Sequence, residues 1–187
     1  MRAFVAIHLP DSFADWLEVS SARLGMLLSK VALVPAASCH VTLRFLGELP
    51  GEQVDAAAER LRESISAVPG TTLVLDRFGV FRRGGRPAVL WIGPSVVSEA
   101  LVRLAASTDA CMSGMGSNTR IEPFVPHVTL GRFVSGTRDG DAATIEAQCA
   151  RPYAVPVTDV VLYESLVGQG KPTYVARASV RLAPFAE

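Results

Sequence analysis

The chain has 187 residues, 49% of them hydrophobic, with 18 basic and 18 acidic side chains and a formal net charge of zero. That length and apolar content suffice for a well-buried core, as one domain or two closely packed lobes, and exclude a disordered chain. Neutral overall charge argues against a protein that coats long stretches of nucleic acid, while leaving room for a cleft that takes a single nucleotide end.

In chain order, residues 2–9 read as a buried strand that Pro10 stops. Ser12 offers an N-cap, and Trp16, Leu17, Leu24, Leu27 and Leu28 predict a helix to about residue 28. A short strand at 31–34 precedes Pro35, and a strand from the segment around His40 runs to about residue 46, with Gly47 ending it. Pro50-Gly51-Glu52 opens a second helix, on which Val54, Ala57, Leu61, Ile65 and Val68 share a face, and Pro69-Gly70 closes it. Residues 71–80 alternate like a strand, 82–87 form a hairpin tip, and 88–93 form the next strand. Val97, Leu101, Leu104, Ala105, Thr108 and Met112 mark a third helix, followed by a strand around His127 and a short helix at 141–150. Residues 155–162 and 173–182 read as closing strands, joined by the turn Gly168-Gln169-Gly170-Lys171-Pro172. The order of elements repeats, with units at about 2–80 and 87–165 and a closing strand at about 173–182 in one bilobal domain.

Within those units one tetrapeptide occurs twice. His40-Val41-Thr42-Leu43 and His127-Val128-Thr129-Leu130 lie 87 positions apart and hold two of the chain's three histidines. A duplicated core strand has a folding reason to repeat Val and Leu, but none to repeat His and Thr. Alternation along a strand puts His40 and Thr42 on one face and Val41 and Leu43 on the other, with His127 and Thr129 likewise opposite Val128 and Leu130. Two such faces across a groove gather two imidazoles and two hydroxyls. Histidine moves protons near neutral pH: one imidazole takes a proton from water, the other gives one to a leaving oxygen, and threonine hydroxyls donate to phosphate oxygens. By the same alternation Arg44 shares the His40 face and is a candidate phosphate contact. Arg132 falls on the wrong face unless Gly131 allows a bulge. His8, alone at a strand end, reads as structural. Phe81 and Tyr174 read as core or rim rings that are also candidates for base stacking, and Arg82, Arg83 and Arg86 read as a solvated loop that could also meet an RNA backbone.

The paired motifs, with Arg2-Ala3-Phe4-Val5-Ala6-Ile7, Arg44-Phe45-Leu46-Gly47, Gly79-Val80-Phe81, Val89-Leu90-Trp91, Pro123-Phe124-Val125-Pro126 and Leu162-Tyr163-Glu164-Ser165, resemble the two-histidine (2H) phosphoesterase superfamily. Within it the chain is most similar to the RNA 2′,3′-cyclic phosphodiesterases, also called 2′-5′ RNA ligases, along nearly its whole length. The resemblance implies an α+β, duplicated bilobal fold: two antiparallel sheets with outer helices around a central cleft. It implies hydrolysis of an RNA or nucleoside 2′,3′-cyclic phosphate to a 2′-phosphate without metal or cofactor, with reverse 2′-5′ ligation as a further family activity. It assigns His40 as proton donor to the 3′ oxygen and His127 as acceptor from water, roles that spacing alone does not distinguish. Thr42 and Thr129 bind the phosphate, and Arg44 and Arg132 are the substrate-contact candidates. Three positions depart from the family pattern: His8 replaces an acidic residue, Cys39 a large aliphatic, and Val125 a frequent Arg or Lys. Cys39, Cys111 and Cys149 show neither metal spacing nor a disulfide framework, which fits a reducing compartment. No apolar run is long enough to be a signal segment or to cross a bilayer, so the expectation is a cytoplasmic monomer whose partner is an RNA end.

Overall fold

A computed structural model describes residues 1–22, 24–118, 123–166 and 172–185. The first half of the chain gives β1 (Arg2–His8), α1 (Ser12–Ala22), β2 (Val31–Leu33), β3 (His40–Glu48), α2 (Val54–Ile65) and β4 (Thr71–Arg83). The second half gives β5 (Arg86–Gly93), α3 (Glu99–Cys111), β6 (Val128–Phe133), α4 (Asp139–Glu146), β7 (Cys149–Val157), β8 (Asp159–Leu166) and β9 (Thr173–Arg181). The turn at 168–171, with Lys171, lies outside the described residues. No helix among those described is long and apolar enough to cross a membrane.

The local signals explain most boundaries. Ser98 caps α3, its hydroxyl accepting from the Leu101 amide at 3.2 Å. Ala57, Leu61 and Ile65 recur every four residues as the buried stripe of α2, which packs on α3 and on β9. The first helix is shorter than its periodicity predicts: α1 ends at Ala22, and Gly25–Lys30 continues as a 3₁₀ segment that opens on Gly25 at φ +47°.

The strands form one nine-stranded sheet, β7-β4-β5-β6-β3-β1-β8-β9, with β2 beside β6, and every pairing between these strands is antiparallel. The two sheets expected from the sequence are thus the halves of a single sheet, and they meet at one residue pair, Val41 with Val128. Both valines are fully buried. Past that pair the inner edge of β6 leaves β3 and continues against β2, from Gly131 to Phe133, so the halves part and a cleft opens between them.

The halves do not follow the order of the repeat. Strand β4, which ends the first unit, pairs with β5 of the second, and β8, which ends the second, pairs with β1 of the first. The predicted strand at 155–162 is accordingly two strands, divided at Thr158: Val157 closes the β7 pairing with β4, and Asp159 begins the β8 pairing with β9. The apolar run across Thr158 conceals this change of partner, because period-two patterning reports burial and not which neighbour supplies it. Pro156 is tolerated because β7 is an edge strand, with β4 as its only neighbour among the described residues.

Candidate active site

The geometry of the site follows from the Val41–Val128 pair. In an antiparallel register this pairing sets His40 opposite Thr129 and Thr42 opposite His127. Neighbours across a ladder share a face. The two valines therefore point into the core together, and the two His-Thr pairs point together into a cavity of about 940 Å³ that all four residues line. Neither threonine hydroxyl bonds to a described residue, so both are available as donors.

Each imidazole is fixed in the same way. His40 Nδ1 lies 2.9 Å from the Ser38 carbonyl oxygen, and His127 Nδ1 lies 2.8 Å from that of Val125. A carbonyl only accepts, so Nδ1 carries the hydrogen in both rings and Nε2 is left to the cavity. The bond is made two residues back in each case, by the backbone, so the identity of residue 125 does not matter to it. Burial holds both imidazoles below the ordinary histidine pKa, and for His40 the nearby His127 and His8 push the same way. Two such groups around one cavity disfavour double protonation, and a bound phosphate anion favours the first proton. This is the arrangement an acid–base pair requires.

The walls around the two rings differ. His40 lies against Phe4, centroids 4.7 Å apart, and meets Tyr174 edge-on at 5.0 Å. Tyr163 stacks behind Phe4 and bonds His8, the two side chains 3.0 Å apart from Oη to Nδ1. Burial raises both phenols, which stay protonated donors. His127 meets Phe81 edge-on at 4.7 Å and lies 6.2 Å from Trp91. Trp91 lies flat on Gly79, where a Cβ would come within 2.0 Å of the indole. Phe81 is therefore a wall of the His127 site and does not line the cavity, whereas Tyr174 does.

The arginines correct the sequence reading. In β3 the pairing with β1 skips a residue between Thr42 and Arg44, and in β6 the pairing with β5 skips one between Thr129 and Gly131. A bulge follows each His-x-Thr and inverts the alternation beyond it. Arg44 is therefore not on the histidine face. It is 7% exposed and turned beneath the sheet, where it donates to Asp109 of α3 at 2.7 Å and to the Asn118 carbonyl at 2.9 Å. Phe45 emerges in its place, 55% exposed and lining the cavity. In β6 the equivalent positions are Gly131 and Arg132. A Cβ on Gly131 would approach Val31 Cγ1 at 2.5 Å and the Ala32 carbonyl at 2.7 Å, so β2 requires glycine there. Arg132 emerges into the cavity by the bulge its prediction required.

Arg82 is also unlike its prediction, because α4 holds it through Asp139 at 3.0 Å and Glu146 at 2.6 Å. Cys39 is buried, its thiol pushed up to about 11 by desolvation, and its Sγ lies 3.7 Å from the Thr129 carbonyl, so it packs the join between the halves as a neutral thiol. Among the described residues no three His, Cys, Asp or Glu side chains gather as a metal site would need, and no carboxylate lines the cavity. Sequence reasoning singled out Tyr174 but missed the part of Tyr163 in the same wall, the Trp91–Gly79 contact and Arg2, which also lines the cavity. The alternation of β1 offered a signal for Arg2, since it shares a face with Phe4.

The profile of the 2′-5′ RNA ligase superfamily matches residues 9–169. The chain is similar to the RNA 2′,3′-cyclic phosphodiesterase of Escherichia coli, 34% identical over 146 residues that cover 75% of this chain and 74% of that protein. It is also similar to the RNA 2′,3′-cyclic phosphodiesterase of Thermotoga maritima, 28% identical over 174 residues covering 93% and 91% of the two chains. The crystal structure of Escherichia coli LigT in apo form has a similar fold, with a TM-score of 0.78 at 29% identity, covering 97% of this chain and 96% of that one.

Proposed function

The chain belongs to the 2′-5′ RNA ligase superfamily, and on that premise we propose that it hydrolyses RNA or nucleoside 2′,3′-cyclic phosphates to 2′-phosphates, with His40 and His127 as the acid–base pair. The observation that carries this reading is that both Nδ1 atoms are committed to carbonyls while both Nε2 atoms are left to one cavity.

The step runs as an in-line displacement. His127 Nε2 takes a proton from water as the water oxygen bonds to phosphorus. The phosphorus–O3′ bond breaks, and protonated His40 gives its Nε2 hydrogen to the departing O3′. The phosphate stays on O2′. Thr42, Thr129 and Arg132 stabilise the charge that builds on the non-bridging oxygens. His127 then returns its proton to solvent and His40 regains one, and no protein–substrate bond forms. The near-symmetry of the site makes the direction of proton flow the assignment that most needs a test.

Incubation with an oligonucleotide ending in a 2′,3′-cyclic phosphate, in EDTA, should yield the 2′-phosphate and no 3′-phosphate. A 3′-phosphate product would reverse the roles of the two histidines. Lack of turnover with tight product binding would make the protein a holder of RNA ends.

A further inference from the structure

Of the three histidines, His8 has no part in the proton transfers, yet the sheet sets it beside one that does. The register of β1 on β3 pairs His8 directly with His40, after Ile7 with Val41. Ile7 and Val41 are buried, so by alternation both imidazoles stand on the cavity face. The second half has no counterpart. There β5 lies beside β6 as β1 lies beside β3, with Ile92 opposite Val128. The next residue, which falls beside His127, is Gly93. A Cβ on Gly93 would come within 2.6 Å of the Pro126 carbonyl oxygen and 3.0 Å of the Trp91 ring, so no side chain fits there. The near-symmetric pair of imidazoles therefore has a basic neighbour in the adjoining strand on the His40 side, and a bare backbone on the His127 side.

His8 is held in that place. Its Nδ1 lies 3.0 Å from Tyr163 Oη, and Tyr163 stacks on Phe4, which lies against His40. A phenol both donates and accepts, so this bond persists whether Nδ1 is bare or carries a hydrogen. Protonating the exposed His8 ring therefore breaks no contact. The other charged and titratable groups on the strands around the two rings are engaged or turned away. On β8, Asp159 is taken by Arg181 at 3.6 Å and by the Thr158 hydroxyl at 2.6 Å, and Glu164 is taken by Arg177. On β9, Tyr174 meets His40 edge-on, and burial raises its phenol. From β6, His127 and Arg132 reach the cavity that His40 lines, and no carboxylate lines it. Arg44 lies beneath the sheet with Asp109, and Cys39 is a buried, neutral thiol. We infer that His8 is a positioning residue that works through His40: a proton on His8 opposes a proton on His40 and leaves His127 unaffected. The electrostatics run the same way. Burial lowers both imidazoles, and His127 and His8 add to it for His40, whereas for His127 burial is the one lowering cause. The inference rests on the cyclic phosphodiesterase reading only for what the pair does with its protons.

The test follows the two imidazoles separately by proton NMR. The chain has three histidines, so His8 variants leave two Cε1–H resonances, which His127→Gln assigns. The His40 pKa should rise in the order His8→Lys, wild type, His8→Gln, His8→Asp. Each step should be roughly half a pH unit, the effect of a charge a few ångströms away in a mostly aqueous medium, and high salt should compress the series. The His127 pKa should move less than half as far. In kcat/KM for adenosine 2′,3′-cyclic phosphate, the limb of the pH profile that coincides with the His40 titration should shift with it. Equal His40 pKa values across the series, or equal movement of His40 and His127, overturns the inference. A rise with His8→Lys as large as with His8→Gln also overturns it, because the effect would then come from loss of the ring and not from its charge. Ordered shifts of His40 without turnover by any of the four proteins overturn the hydrolytic reading and leave the role of His8 standing.

Discussion

Strands β3 and β6 carry the same four residues and bulge at the same place, yet each delivers a different side chain to the cavity. After His40-Val41-Thr42-Leu43 the chain buries Arg44 against Asp109 and presents Phe45. After His127-Val128-Thr129-Leu130 it fits Gly131 under β2 and presents Arg132. The duplicated positions thus make a symmetric His-Thr cluster, the proton-transfer centre of the proposed reading, and the positions after the bulges make it asymmetric. One side presents a cation to the cavity, and the other an apolar ring. The walls follow the same division, with phenols around His40 and Trp91 and Phe81 around His127. A repeat in sequence preserves where side chains go and leaves free what they are.

The largest effect should come from the part that is symmetric. His40→Ala and His127→Ala should each lower kcat by ~10²–10⁴-fold on a 2′,3′-cyclic phosphate, and the double variant should be little worse than either alone, because the two histidines act as a unit. Steady-state kinetics decides this, and two losses that multiply in the double variant would mean that the imidazoles act independently.

The arginines should separate next. Arg132→Ala should lower kcat/KM by about tenfold to a hundredfold, the worth of a hydrogen bond from a charged group, with the melting temperature unchanged. Arg44→Ala should show the opposite pattern. Asp109 is 43% exposed, so the loss is less than for a fully buried pair, about 2 kcal/mol. That corresponds to roughly 4–8 °C in a chain of this size, with turnover per folded molecule retained. Calorimetry alongside kinetics distinguishes the two, and equal patterns for both variants would erase the contrast between the strands.

Gly131→Ala tests why β6 has no counterpart to Arg44. The added methyl would have to displace Val31 or the Ala32 backbone, and should cost about 1–3 kcal/mol of stability by overpacking, read from urea unfolding midpoints.

The smallest effect is a pH dependence. Folding lowers the pKa of both histidines through burial, so the unfolded chain binds more protons in the window below the ordinary histidine value of about 6.5. Stability should therefore fall as the pH drops through that value towards the lower folded pKa. His40→Asn should flatten this slope in unfolding midpoints compared between pH 7.5 and 5, and a slope unchanged in that variant would mean that His40 is not the group responsible.

Much of this was legible from residues alone. The recurrence of His and Thr at one offset, where a core strand would repeat only its apolar residues, identified the two strands that meet at the cavity and the faces they turn to it. Pro10, Ser12, Pro35 and the stripes of α2 and α3 marked elements at nearly their observed positions, because propensity, capping and patterning act over a few residues. What lay beyond sequence was set by neighbours distant in the chain. Alternation assigned Arg44 to the cavity and Arg132 away from it, and a one-residue bulge reversed both. The exchange of β4 and β8 between the halves and the division of one apolar run at Thr158 had the same origin. A period of two reports which residues are buried, whereas the partner strand and the space beneath it, here β2 under Gly131 and Asp109 under Arg44, decide where that period slips. Only the folded sheet, by pairing Val41 with Val128 and setting Arg2 and Phe45 along the same cavity, turned two repeated strands into one site.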